Sequence, residues 1–280
     1  MPTITNADID RYAAHLRDTE RASATISKYL CELRRLHSAL RGAEVTKAVL
    51  LGWKAELLSS RAPSSVNGAI GVVNAFFAFL GWHELSLKPL KVQKNLFLDE
   101  SKELTRADYA RLVAAAGRRG GERLSLIIQT ICATGIRVSE LRFITVAAVQ
   151  TGRAEITNKG KRRVIFLPER LRKLLRRYCK AQKNTAGAVF VTRNGNPVDR
   201  SNIWRDMKAL CKSAGVAPSK VFPHNLRHLF ARTFYTVEKD LSRLADILGH
   251  SSVNTTRIYI AESGAHHARL VEQLHLVLTT

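Results

Sequence analysis

The sequence predicts a mainly α protein of two domains with one small antiparallel sheet, and three features carry that expectation. Apolar residues recur at helical spacing through most of the 280-residue chain, strand-like alternation is confined to one stretch, and a lysine-bearing segment without period parts two periodic regions. The length exceeds that of a usual single domain, and 45% hydrophobic residues suffice for packed cores.

Thr5 or Asn6 caps a first helix whose Ile9, Tyr12, Ala13 and Leu16 share one face. From Ser23, the residues Ile26, Tyr29, Leu30, Leu33 and Leu36 repeat the pattern, with Lys28, Arg34 and Arg35 on other faces. Val45 to Leu58 and Ser64 to Leu80 complete a four-helix bundle. Leu87 to Asp99, with Pro89 and three lysines, reads as extended. We therefore expect a helical domain at 1–88, a linker at 89–101 and a second domain at 102–280. The second domain opens with a helix capped by Thr105, with Asp108 three residues on. Leu124 to Ala133 suits a buried helix that Gly135 interrupts. Ala154 to Thr157 and Val164 to Leu167 flank the polar turn Asn158-Lys159-Gly160-Lys161, so a lysine-tipped β-hairpin is expected there. A basic helix follows from about Glu169 to Gln182, Val189 to Val191 is a candidate strand, and the remainder reads as helical.

Lys and Arg total 45 against 23 Asp and Glu, a formal charge of +22, and a field of that sign draws polyanions such as nucleic acid. The first hundred residues carry +3 of it and the remaining residues +19. The densest run, Lys159 to Lys183, contains a single acid, Glu169, and offers side chains that neutralise phosphates. Cys31, Cys132, Cys179 and Cys211 have no C-x-x-C spacing, which fits reduced thiols and leaves a zinc site unexpected. The start of the chain is polar and acidic, unlike a signal peptide, and no apolar stretch is expected to reach bilayer-spanning length, so no membrane partner and a cytoplasmic location are expected.

Three segments carry candidate chemistry: Ala133 to Leu141, where Arg137 follows the Gly135 break; His224-Asn225-Leu226-Arg227-His228, where His224 and Arg227 share a helix face; and Leu248-Gly249-His250, with Tyr259 nine residues beyond the histidine. Two arginines, a loop lysine, two histidines and a tyrosine suit attack on a phosphodiester. Guanidinium groups stabilise its growing charge without metal or cofactor, the tyrosine is the nucleophile, and Lys159 can deliver a proton to the departing oxygen.

The segments A-T-G-I-R-V-S-E-L, N-K-G-K-R-R-V-I-F-L-P, H-N-L-R-H-L-F-A and L-G-H-S-S-V-N-T-T-R-I-Y together resemble the tyrosine recombinase family of phage integrases and Xer-type enzymes, over essentially the whole chain. The resemblance implies a helical core-binding domain followed by an α+β catalytic domain. It implies that Arg137 and Arg227 clamp the scissile phosphate, His224 assists proton transfer, His250 holds a phosphate oxygen, Lys159 is the general acid and Tyr259 attacks; Lys161 is the alternative lysine. It further implies double-stranded DNA carrying inverted-repeat core sites as partner, a homotetramer on two sites, strand exchange through a Holliday junction, and a nucleoid-associated enzyme of a mobile element or replicon. The segment from about Gly264 to Leu278 is expected to be a helix exchanged between subunits. For contact with the DNA backbone we expect Lys28, Arg34, Arg35, Lys161, Arg162, Arg163, Arg172, Lys173 and Arg176. A silent DNA-binding module and a type IB topoisomerase are the alternatives. Six filled positions argue against the first, and a core-binding domain with a C-terminal helix argues against the second.

Overall fold

A computed structural model describes residues 2–92, 100–118, 121–158, 161–259 and 272–273, and the chain divides into two compact units, Met1–Lys94 and Asn95–Thr280.

The first unit contains α1 (Asn6–Asp18), α2 (Ser23–Leu40), α3 (Lys47–Ser60) and α4 (Pro63–Leu80). Thr5 starts α1 through a capping box: its hydroxyl accepts from the Asp8 amide at 3.2 Å, and the Asp8 carboxylate accepts from the Thr5 amide at 3.0 Å. Thr46 caps α3, Pro63 opens α4, and Gly81 closes α4 in the left-handed region. Ile9, Tyr12 and Leu16 meet Leu33, Leu36, Leu50 and Trp53 around α4, and the Tyr12 ring lies 5.3 Å from that of Phe76.

One expectation is corrected here. At 18 residues, α4 is long and apolar enough to cross a membrane by length and composition. Val66, Ala69, Ile70, Val72, Val73, Phe76 and Phe77 are buried in the unit's own core, which accounts for the apolar run. Beyond α4, Asn74 and Asn67 grip the departing chain. Each amide side chain donates to and accepts from one backbone residue, Leu87 at 2.8 Å both ways and Leu90 at 2.9 and 2.7 Å, as a neighbouring strand would. Most of the expected linker, 93–99, lies outside the described residues.

The second unit contains α5 (Arg106–Arg118), α6 (Glu122–Thr134), a 3₁₀ turn (Val138–Phe143), α7 (Val146–Thr151), β1 (Arg153–Asn158), β2 (Lys161–Phe166), α8 (Glu169–Ala181), α9 (Arg200–Ala214), α10 (Pro223–Val237), α11 (Leu241–Leu248) and α12 (Val253–Arg257). Thr105 and Asp108 form the expected capping box, with both bonds 3.0 Å. Leu112, Ile127, Ile128, Ile131, Met207 and Leu226 share its core. The hairpin is antiparallel, with Arg153 opposite Phe166 and Asn158 opposite Lys161. Ala154, Ile156 and Ile165 face inward while Val164 and Phe166 stay exposed. Val189 to Val191 forms no strand: the segment makes only isolated bridges, Thr145 to Ala188 and Val191 to Pro197, around the turn at Asn194. The interval 264–278 lies outside the described residues except for 272–273. Cys179 and Cys211 are buried, whereas Cys31 is exposed.

Candidate active site

Two helix ends converge on one arginine. Gly135 closes α6 with φ +66°, and a Cβ there would stand 2.3 Å from Phe230 Cδ1 and 3.1 Å from Leu248 Cδ2, so both conformation and space require glycine. Gly249 closes α11 in the same way. From α10, the Arg227 guanidinium, on a residue only 1% exposed, donates to the Gly135 carbonyl at 2.6 Å, the Leu248 carbonyl at 2.7 Å and His250 Nε2 at 3.0 Å. An arginine can only donate, so Nε2 of His250 accepts, the ring proton sits on Nδ1, and Nδ1 donates to Thr256 Oγ1 at 2.8 Å.

The turn after Gly135 delivers Arg137 in extended conformation at the head of the 3₁₀ turn. Glu140, 1% exposed, accepts from the Arg137 amide at 2.8 Å and from its guanidinium at 3.1 Å. Its two oxygens also receive Arg163 of β2 in a bidentate pair at 3.1 and 2.7 Å. The Arg163 side chain packs beneath Gly249, where a Cβ would meet its Nη1 at 2.5 Å. One carboxylate thus ties β2 to the turn that carries Arg137.

Tyr259, 2% exposed, lies just beyond α12 among Ala231, Leu244 and Leu248. The His250 ring stacks on it with centroids 5.6 Å apart and planes 11° apart, and His224 lies 6.2 Å away. Burial, then the charges of Arg227, Arg137, Arg163 and His224, pushes His250 down to about 4. Desolvation, then Arg227 and Arg137, holds His224 below its ordinary value. Burial and Arg137 lower Arg227 to about 10 against the opposing effect of Tyr259, which leaves it charged at neutral pH. Burial by itself raises Glu140, but the bonds from Arg163 and Arg137 and their charges outweigh it and hold the carboxyl low.

The description "Phage integrase family" matches residues 102–266, more than half of the chain. The chain belongs to that family. Across 287 residues, 99% of this chain and 96% of the relative, it is 28% identical to the tyrosine recombinase XerA of Pyrococcus horikoshii. Its fold resembles the crystal structure of a XerA recombinase, with a TM-score of 0.53 at 25% identity over 98% of this chain and all of the other. It also resembles a lambda integrase tetramer bound to a Holliday junction, with a TM-score of 0.76 at 16% identity over 92% of this chain and 77% of the other. The chain is a tyrosine-type site-specific recombinase, an enzyme that breaks and rejoins DNA strands.

Of the six residues the sequence singles out in this recombinase, the fold brings five together: Arg137, His224, Arg227, His250 and Tyr259. Lys159 lies outside the described residues, as does the side chain of Lys161. Arg162, Lys173 and Arg176 are exposed on the second unit, and Lys28, Arg34 and Arg35 on the first. Two expected DNA contacts are turned inward. Arg163 is occupied by Glu140, and Arg172 donates to the carbonyls of Val149 at 3.1 Å and Gln150 at 2.6 Å while pairing with Glu169 at 2.6 Å. Glu140 and His228, which the sequence does not single out, also lie at the site, and Arg163, expected at the DNA backbone, joins them through Glu140. The spacing of Glu140 from Arg137, three residues on as in a capping box, was the available signal for the first.

Replacing Glu140 by alanine leaves two guanidinium groups without their acid, and the second unit should lose about 3 kcal/mol or more in urea denaturation. Stability should also decline as pH falls below 6.5. The unfolded chain then takes up protons on His228 and His250, which the folded unit accepts only near about 3 and about 4. Urea midpoints between pH 7.5 and pH 5 measure that decline, and His250→Gln should make it shallower while leaving the part due to His228.

Proposed function

We propose that Tyr259 is the nucleophile, that Arg137, Arg227 and His250 bind the scissile phosphate, that His224 receives the phenolic proton, and that Lys159 is the general acid. The Tyr259 oxygen attacks phosphorus, a 3′-phosphotyrosyl bond forms, and the bond to the 5′ oxygen breaks with its electron pair on that oxygen, which takes a proton from Lys159. Attack by a 5′ hydroxyl of the partner strand reverses these steps and completes exchange through a Holliday junction. The observation that carries this reading is the meeting of Arg227, His250 and Tyr259, from three separate segments, around an arginine whose hydrogen-bond partners among the described residues are neutral. Its charge therefore remains available to a phosphate. Because Tyr259 is nearly enclosed, cleavage on this reading begins with a shift of α12 that bares the hydroxyl.

On the same reading, residues 1–88 are the core-binding domain, 89–101 the linker and 102–280 the catalytic domain of a cytoplasmic, nucleoid-associated enzyme. It assembles as a tetramer on two sites with inverted-repeat core elements and serves the integration, excision or resolution of a mobile element or replicon. Exchange of the C-terminal segment between subunits is supported by an apolar groove on the second unit, lined by Tyr109, Cys132, Leu229, Phe230 and Phe234, which offers matching chemistry to Leu270, Val271, Leu274 and Leu278. The family favours recombination over DNA relaxation.

Nicked duplexes carrying sites that the protein selects from a random-sequence pool test the chemistry. Wild-type protein should form a denaturant-resistant adduct in the presence of EDTA, and Tyr259→Phe should form none. An adduct with Tyr259→Phe, or strict magnesium dependence, overturns the assignment. For the interface, Lys173→Glu with Arg176→Glu should weaken binding across sequences and lower the salt slope by about 1 for each phosphate contact removed; an unchanged slope removes those residues from the interface.

A further inference from the structure

A second imidazole on α10, one turn beyond His224, belongs to none of the roles assigned above. The His228 ring stands edge-on to Tyr259, with centroids 4.5 Å apart and planes at 77°, which is nearer than either His250 or His224. It also meets the His224 ring edge-on at 4.6 Å. Its Nδ1 has no hydrogen-bond partner among the described residues and faces Glu103 Oε1 at 3.7 Å, while Arg232 pairs with the other Glu103 oxygen at 3.0 Å.

We propose that His228 is a positioning residue for Tyr259: its ring, nearly perpendicular to the phenol and set beside the stacked ring of His250, limits how the phenol tilts and so, together with the Arg227 hydrogen bond, where the phenolic oxygen points. The proposal rests on Tyr259 being the nucleophile. Tyr259 follows a helix of only five residues, with its amide bonded to the Thr256 carbonyl at 3.0 Å, so its side chain is held by a hydrogen bond with Arg227 and by the rings packed around it. Stacked and T-shaped contacts are both favoured ring geometries, and two neighbours at right angles to one another restrict the phenol sterically in directions that either alone leaves open. His250 supplies the first contact and His228 the second. Burial, then the charges of His224, Arg232 and Arg227, pushes His228 down to about 3, so it stays neutral at working pH and adds no further cation beside Arg227. The Glu103 carboxylate, already paired with Arg232, does not reverse that.

Single-turnover cleavage of the nicked duplex tests this with His228→Ala and His228→Phe, each checked by circular dichroism and by its Kd for the same DNA. Loss of the ring in His228→Ala should slow adduct formation about tenfold or more, because small misplacements of a reacting group are costly, while Kd changes less than about threefold. His228→Phe, which restores a ring without nitrogens, should recover most of the rate. The defect of His228→Ala should persist on a substrate with a bridging 5′-phosphorothiolate, whose thiolate leaves without a proton. Recovery on that substrate, or His228→Phe as slow as His228→Ala, would reassign His228 to proton transfer. Wild-type rates in His228→Ala would overturn the proposal outright. If His228→Ala does not fold, His228→Phe on the two substrates still separates packing from proton transfer. Tyr259→Phe in parallel keeps the premise separate: an adduct there defeats the nucleophile assignment, whereas no adduct there with unimpaired His228→Ala defeats only the positioning role.

Discussion

The buried guanidinium of Arg227 is the constraint around which the second unit is arranged. A cation withdrawn from water requires compensation, and here it comes from the carbonyl ends of two helices, at Gly135 after α6 and Leu248 in α11. Helix C-termini carry partial negative charge from carbonyls that have no partner within the helix, so they soften the burial without neutralising the cation. Left-handed glycines end both helices and let the chain turn away at once, to Arg137 in one case and to His250 in the other. The same bonds that settle Arg227 thereby set the origin of two further site residues.

Glu140 has the complementary task. It is a buried acid in a basic unit, and its two oxygens serve the turn bearing Arg137 and the strand bearing Arg163. Geometry is gained, and the excess of positive charge over negative remains. Because Arg163 also lies under Gly249, the strand, the turn and the segment of His250 meet at one side chain. The hairpin is thus anchored at β2 to the elements that surround Arg227.

Helices were legible because their buried faces repeat with a clear period, as with Ile9, Tyr12, Ala13 and Leu16, and because Thr5 and Thr105 head sequences that satisfy exposed amides. Strand parity was not legible. Val164-Ile165-Phe166-Leu167 is apolar throughout, so nothing in it reveals that odd positions face inward, and in sequence Arg163 reads as part of the basic surface although it shares the inward side with Ile165. Likewise Val189 to Val191 has strand composition but finds no ladder to join. At the site, Arg137, His224, Arg227, His250 and Tyr259 were recognisable as an ordered set. His228 was not, since its importance lies in the angle at which one ring meets another, which spacing along a helix does not encode.

The burial of α4 also bears on how the chain is made. This helix is apolar enough to resemble a membrane span, yet it is the last of its four-helix unit to be synthesised. By the time it leaves the ribosome, α1, α2 and α3 are already outside it and able to cover Val66, Ile70, Val73 and Phe77 as they emerge. The order of elements shortens the interval in which an aggregation-prone surface is bare, a protection that a circular permutant beginning at α4 would forfeit.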